Sequence, residues 1–139
     1  KGRMECAGLV NDTMIIDDSY NANLASSKAA IDVLQKMKSP SVLVMGDMGE
    51  LGEYAELMHQ EVGLYAEEKG IDTVLAVGAY AKTVCSKRKA KCASFDAVEE
   101  VISALKADFP SGGTVLVKGS RSMRLERVVD ALIQHEVTV

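Results

Sequence analysis

Three short runs in this chain gather the residue types that bind charged, hydroxyl-bearing ligands, and each follows a stretch rich in apolar residues. The first is Asp17-Asp18-Ser19-Tyr20-Asn21-Ala22-Asn23, after Met14-Ile15-Ile16. The second is Gly46-Asp47-Met48-Gly49-Glu50-Leu51-Gly52, after Ser41 to Met45, and the third is Lys118-Gly119-Ser120-Arg121-Ser122, after Thr114 to Val117. A carboxylate held at a strand end can accept hydrogen bonds from ribose hydroxyls. A lysine and an arginine beside a glycine suit a carboxylate or a phosphate, the arginine through its bidentate fork. Glycines in the middle run allow positive φ and close backbone approach, so that loop either lies against a ligand or simply turns tightly. Ser19, Asn21 and Asn23 are also ordinary helix-capping residues. Together the runs suit a ligand that carries both hydroxyl groups and negative charge.

The chemistry that is missing narrows this further. There is no Gly-x-x-x-x-Gly-Lys-Ser/Thr phosphate loop and no Gly-x-Gly-x-x-Gly after the first strand, and residues 46–52 match neither spacing. No cysteine or serine has a base partner apparent in the sequence. His59 falls inside a helical stretch and His135 near the end of the chain, which marks both as structural or surface residues. By these residues alone the chain could bind a nucleotide or an acidic substrate, but it lacks the parts to transfer a phosphoryl group unaided.

Composition is that of an ordinary soluble globular protein, with 139 residues and a formal charge of -4. That length suits one domain with a substantial core. The run Lys87-Arg88-Lys89-Ala90-Lys91 is expected to be a solvated loop, and no nucleic-acid partner is expected. Cys6, Cys85 and Cys92 form no CxxC pair and have no histidine nearby, so no metal site is expected. Their odd number, without a secretory leader, predicts reduced thiols in a cytoplasm. No stretch has the length and apolarity of a membrane-spanning helix, and no membrane partner is expected. The first residues, Lys1-Gly2-Arg3, lack an initiator methionine, which gives the expectation of a fragment from a longer polypeptide.

The elements that must position the polar runs follow from periodicity. Strands are predicted over Met4 to Val10, Thr13 to Asp17, Ser41 to Met45, Thr73 to Val77, Lys91 to Ser94 and Thr114 to Val117, with Asn11-Asp12 as the turn between the first two. Helices are predicted over Ala25 to Met37, Tyr54 to Lys69, Tyr80 to Ser86, Asp96 to Ala107 and Leu125 to Gln134. The core faces are expected to be Ala29, Ala30, Val33, Leu34 and Met37 in the first helix, and Leu57, Met58, Val62 and Tyr65 in the second. Alternation of strand and helix predicts an α/β, Rossmann-like three-layer sandwich with a mostly parallel sheet of about six strands and a short antiparallel edge strand. In such sheets ligands bind outside the carboxyl ends of the strands, where the polar runs lie.

With the elements in place, the motifs resemble those of the Mur ligase family. They are Gly2-Arg3-Met4-Glu5, Asp17 to Asn23, Leu43 to Gly52 with His59, and Val117-Lys118-Gly119-Ser120-Arg121-Ser122-Met123, in that order and over nearly the whole chain. The likeness is to the C-terminal domain of the dipeptide-adding branch, so residues 1–139 read as that single domain of a three-domain enzyme. One departure is Leu24, where the family often has proline. The resemblance implies a bacterial cytoplasmic, ATP-dependent amide ligase of peptidoglycan synthesis that adds D-Ala-D-Ala to UDP-N-acetylmuramoyl-tripeptide. It also implies that the phosphate loop and the Mg ligands lie in a central domain, so the fragment alone is expected to be inactive. Carried over by position, Arg3, Asp18, Tyr20, Asn21 and Asn23 resemble an ATP-binding set. Lys118, Ser120 and Arg121 resemble an amino-substrate-binding set, while Asp47 and Glu50 are secondary cleft candidates.

Two other readings are compatible with these residues. One is the C-terminal domain of another Mur-type ligase, adding diaminopimelate or lysine, or of folylpolyglutamate synthase. The absence of an Asp-Asn-Pro-Arg run argues against the diaminopimelate-adding branch. The other is a non-catalytic α/β binding or regulatory domain of the receiver type, which Asp17, Asp18, Asp47 and Lys118 imitate loosely. That reading leaves Tyr20, Asn21 and Arg121 without a role.

Overall fold

Apolar residues occupy both faces of the stretches at 13–18, 41–45, 73–77 and 114–118, the pattern of strands covered on two sides. A computed structural model describes residues 1–138, with side chains as far as Gln134; the expectation for His135 lies outside those side chains. The strands are β1 (Glu5–Val10), β2 (Thr13–Asp18), β3 (Ser41–Met45), β4 (Thr73–Val77), β5 (Lys91–Phe95) and β6 (Thr114–Lys118). The helices are α1 (Leu24–Gln35), α2 (Ala55–Glu68), α3 (Ala81–Cys85), α4 (Val98–Ala107) and α5 (Glu126–Thr138). They form one six-stranded sheet in the order β1-β2-β6-β3-β4-β5. Only β1 runs antiparallel, joined to β2 through Asn11 and Asp12, whose φ values of 51° and 65° are those of a two-residue hairpin turn.

The order of the strands decides where a site can form. From β2 through β3 and β4 to β5 the chain steps in one direction, and right-handed crossovers put α1, α2 and α3 on one face. From β5 it returns to the middle as β6, so α4 and then α5 cover the opposite face. Alternate strand residues supply the two cores: Leu43, Met45 and Leu116 on the first face, and Val42, Val44, Val115 and Val117 on the second. β6 therefore lies between two strands whose following helices leave on the other side. This is a topological switch point, the place where an open α/β sheet has a crevice.

Four local expectations are corrected. In α1 the buried residues are Ser27, Ala30, Ile31 and Leu34, whereas Ala29 is exposed. In α2 they are Ala55, His59, Val62, Gly63 and Ala66, whereas Leu57 is 66% exposed. Hydrophobicity misplaced the second face because a small residue packs it. A Cβ on Gly63 would lie 1.9 Å from the carbonyl oxygen of Val84, so glycine is what lets α2 and α3 meet.

The remaining two corrections concern the turn after α3. Cys85 and Cys92 are joined by a disulfide rather than being reduced, and Cys6 is the free, exposed thiol. The turn brings the end of α3 back beside β5, with the two Cα atoms 5.6 Å apart, a closeness that the sequence spacing does not reveal. Nor is the basic run entirely solvated. The Arg88 side chain is buried, donates to the carbonyls of Ile71 and Lys91, and lies 3.6 Å from Glu67. Burial pushes its guanidinium below the ordinary arginine value, while Glu67 and Asp72 oppose that shift.

Candidate functional site

The ends of β2, β6 and β3 are neighbours at the carboxyl edge of the sheet. Strand pairing sets Asp18 beside Lys118, and Lys118 beside Met45. Each strand runs one residue beyond the predicted β2 and β6 limits, which is what carries Asp18 and Lys118 into the ladder. The Lys118 Nζ donates to Asp18 Oδ2 at 2.9 Å and to the carbonyl of Asn21 at 2.9 Å. The other carboxylate oxygen of Asp18 accepts from the Met4 N–H at 2.9 Å. Asp18 and Lys118 are 8% and 3% exposed, so this is a buried ion pair with hydrogen bonds to satisfy it. It fastens β2, β6 and the segment before β1 together.

Around that pair, two further carboxylates shape the backbone. Asp17 is buried and accepts from the N–H and the hydroxyl of Ser19, which turns the chain out of β2. Asp47 accepts from the N–H groups of Ala79 and Tyr80, and its carbonyl accepts from Ser120 N–H at 2.8 Å. It thus ties the ends of β3, β4 and β6. Gly78, with φ of 121°, is required beside it, because a Cβ there would lie 2.5 Å from the Asp47 carboxylate. At the same edge Gly46 donates to the carbonyl of Lys118, and a Cβ on Gly46 or Gly119 would strike Leu125 at 2.7 or 2.6 Å.

His59 is fully buried and holds the glycine-rich loop. Its Nε2 accepts from Met48 N–H at 2.9 Å, its Nδ1 donates to the Ala55 carbonyl at 2.6 Å, and its ring stacks on Tyr80 with centroids 4.4 Å apart. Accepting at Nε2 fixes the Nδ1-protonated tautomer and uses both nitrogens inside the fold. This agrees with the structural reading of His59.

What faces solvent is a different set. Tyr20 is 42% exposed, with the Arg3 guanidinium 4.0 Å from its ring centre and that of Arg121 at 5.9 Å. Asn21, Asn23, Glu50 and Ser122 are also exposed. A cleft of about 400 Å³ opens here, lined by Gly2, Asp17, Ser19, Tyr20, Arg121 and Glu126 among others. Asn23 is the N-cap of α1: its side chain accepts from Ser26 N–H at 2.8 Å, and Ser26 reaches back to the Asn23 N–H. Leu24 is thus the first helical residue, where proline would fit. Ser120 is buried, its hydroxyl 3.1 Å from that of Ser122.

A sequence model described as "Mur ligase, glutamate ligase domain" matches residues 2–121. The chain belongs to the Mur ligase family. It is 41% identical over 136 residues to the UDP-N-acetylmuramoyl-tripeptide--D-alanyl-D-alanine ligase of Escherichia coli (strain K12), covering 96% of this chain and 30% of that protein. The protein of the same name from Bacillus subtilis (strain 168) is 31% identical over 143 residues, covering 98% and 31%. A crystal structure of MurF from Acinetobacter baumannii matches with a TM-score of 0.87 at 32% identity, over 96% of this chain and 30% of that one. MurF ligase from Thermotoga maritima, in complex with ADP, matches with a TM-score of 0.85 at 27% identity, over 99% and 31%. The chain therefore spans about 30% of the length of the curated relatives it matches.

In this Mur ligase domain the predicted residues divide by exposure rather than by run. Arg3, Tyr20 and Arg121 converge on one surface, with Asn21, Asn23 and Glu50 exposed along the same edge. Asp18, Lys118, Ser120 and Asp47 lie beneath it and are occupied with holding strands together. The converging set offers an aromatic ring and two guanidinium groups, chemistry that suits an anionic ligand. Among the described residues no three His, Cys, Asp or Glu side chains are placed to hold a metal ion. Sequence reasoning missed Gly78 as the partner of Asp47, and Glu126, which pairs with Arg121 at 3.0 Å. Gly78 had no signal, since its role comes from contact with a distant loop, whereas Glu126 lies only five residues beyond Arg121 and meets it through the turn into α5.

Proposed function

We propose that this chain is the C-terminal domain of an ATP-dependent amide ligase that joins D-Ala-D-Ala to UDP-N-acetylmuramoyl-tripeptide in the bacterial cytoplasm. The observation that carries the reading is the meeting of the β2, β6 and β3 ends at one switch point. It occurs in a chain 41% identical, across nearly its whole length, to a ligase of that name. In the whole protein, central and N-terminal domains supply the phosphate loop, the Mg ligands and most of the UDP site. ATP supplies the phosphoryl group that activates the tripeptide carboxylate. This domain forms the facing wall, and its approach excludes water from the activated group.

On that wall, Arg3, Tyr20, Asn21 and Asn23 contact the nucleotide, and Asp18 sets the backbone that presents them while keeping a lone pair on each oxygen for ribose. Arg121 takes the carboxylate of the incoming dipeptide, with Ser120 and Lys118 shaping the loop beneath it. Asp47 and Glu50 border the cleft.

The test is phosphate release by the full-length gene product with ATP, Mg and UDP-N-acetylmuramoyl-tripeptide. Release that requires D-Ala-D-Ala is expected. Release supported by diaminopimelate, lysine or glutamate alone would move the protein to another branch, and no release with any of them would leave a binding domain.

A further inference from the structure

Glu126 has no role in the reading above, and its surroundings are unusual. It begins α5 and accepts from Arg121 Nη2 through Oε2 at 3.0 Å. Its other carboxylate oxygen, Oε1, is buried and has no hydrogen-bond partner among the described residues. A buried acceptor left unpaired lowers stability unless water or a ligand reaches it. The ion pair itself repays little, because Arg121 is 54% exposed and surface pairs of this kind are screened by water.

The contact is one-pronged, through a single guanidinium nitrogen. The rest of the Arg121 fork makes no hydrogen bond among the described residues and borders the same cleft as Tyr20 and Ser19. An arginine so exposed would otherwise sample many rotamers, and a ligand that used it would bear the cost of ordering it. We propose that Glu126 is a positioning residue: it holds Arg121 from behind so that the open edge of the guanidinium is presented to the carboxylate of the amino substrate. The inference rests on the assignment of Arg121 made above and deepens it. Glu126 does not touch the substrate; it sets the orientation of the group that does.

The experiment is steady-state kinetics of the full-length protein with Glu126→Gln, Glu126→Asp and Arg121→Ala, beside thermal unfolding of each. Glu126→Gln keeps the shape and removes the charge. It is expected to raise the KM for D-Ala-D-Ala about two- to tenfold, the range set by ordering one flexible side chain. The KM for ATP should stay where it was, the Tm should not fall, and Glu126→Asp should lie between Gln and the native residue. A dipeptide KM unchanged in Glu126→Gln but raised in Arg121→Ala would overturn the role of Glu126 alone. A dipeptide KM unchanged in Arg121→Ala would overturn the Arg121 assignment beneath it. A fall in Tm with equal rises in both KM values would make Glu126 a structural residue and overturn the proposal.

Discussion

At the scale of single residues, buried charge and hydrogen bonding separate the groups that build the site from those that face a ligand. Asp18→Ala would leave the Lys118 ammonium buried with only the Asn21 carbonyl, and a broken buried pair costs about 3–5 kcal/mol. Urea unfolding should show that loss, and a double change that also replaces Lys118 with Met should cost less than the sum of the two. Asp18→Asn keeps an acceptor for Met4 N–H and should be milder, so its effect on the KM for ATP reports binding more cleanly. Tyr65 gives a prediction in alkali. Its hydroxyl donates to Asp32 at 2.6 Å, and that bond, followed by burial and the charges of Asp32 and Glu68, raises its pKa above the ordinary 10.0. A raised value means that the unfolded chain loses this proton first. The contribution is complete below pH 10.0 and disappears as pH climbs through the folded-state value. Tyr65→Phe should remove part of the decline in stability above that pH, as urea unfolding across alkaline pH would show.

At the scale of elements, close approaches decide which helix face turns inward. Periodicity located α1 and α2, but it chose Leu57 and Ala29 for cores that use His59, Gly63 and Ile31 instead. Gly63 and His59 are invisible to a hydrophobicity pattern, because glycine is selected for the space it leaves and histidine for two hydrogen bonds. Gly63→Ala should therefore cost about 1–3 kcal/mol or more, since its new methyl would meet backbone that cannot rotate aside. Thermal unfolding of that variant measures it. His59→Leu would strand the Met48 N–H, and faster hydrogen exchange at Met48 than at the β3 amides before it is the expected sign that the 46–52 loop has loosened.

At the scale of the whole molecule, a sheet whose strand order reverses at β6 makes one working edge out of three distant segments. Because the same edge carries the buried Asp18–Lys118 pair and the Asp47 clamp, it is stiff, and a partner domain would close on a preformed wall rather than fold one. By itself the sequence determined the alternation of strand and helix, the polar strand ends and the family, because these depend on local periodicity and on short motifs. It also placed Asn11-Asp12 in a turn between two strands, a matter of neighbouring residues. Only the tertiary structure decided that Asp18 and Lys118 bind each other rather than face solvent, that Cys85 meets Cys92, that Arg88 turns inward, and that Arg3, Tyr20 and Arg121 share a surface. The physical reason is the same for all but the cysteines, which meet across one turn. Pairing between residues far apart, and the burial that makes one charge seek another, are set by strand order and crossover handedness, which no local pattern carries.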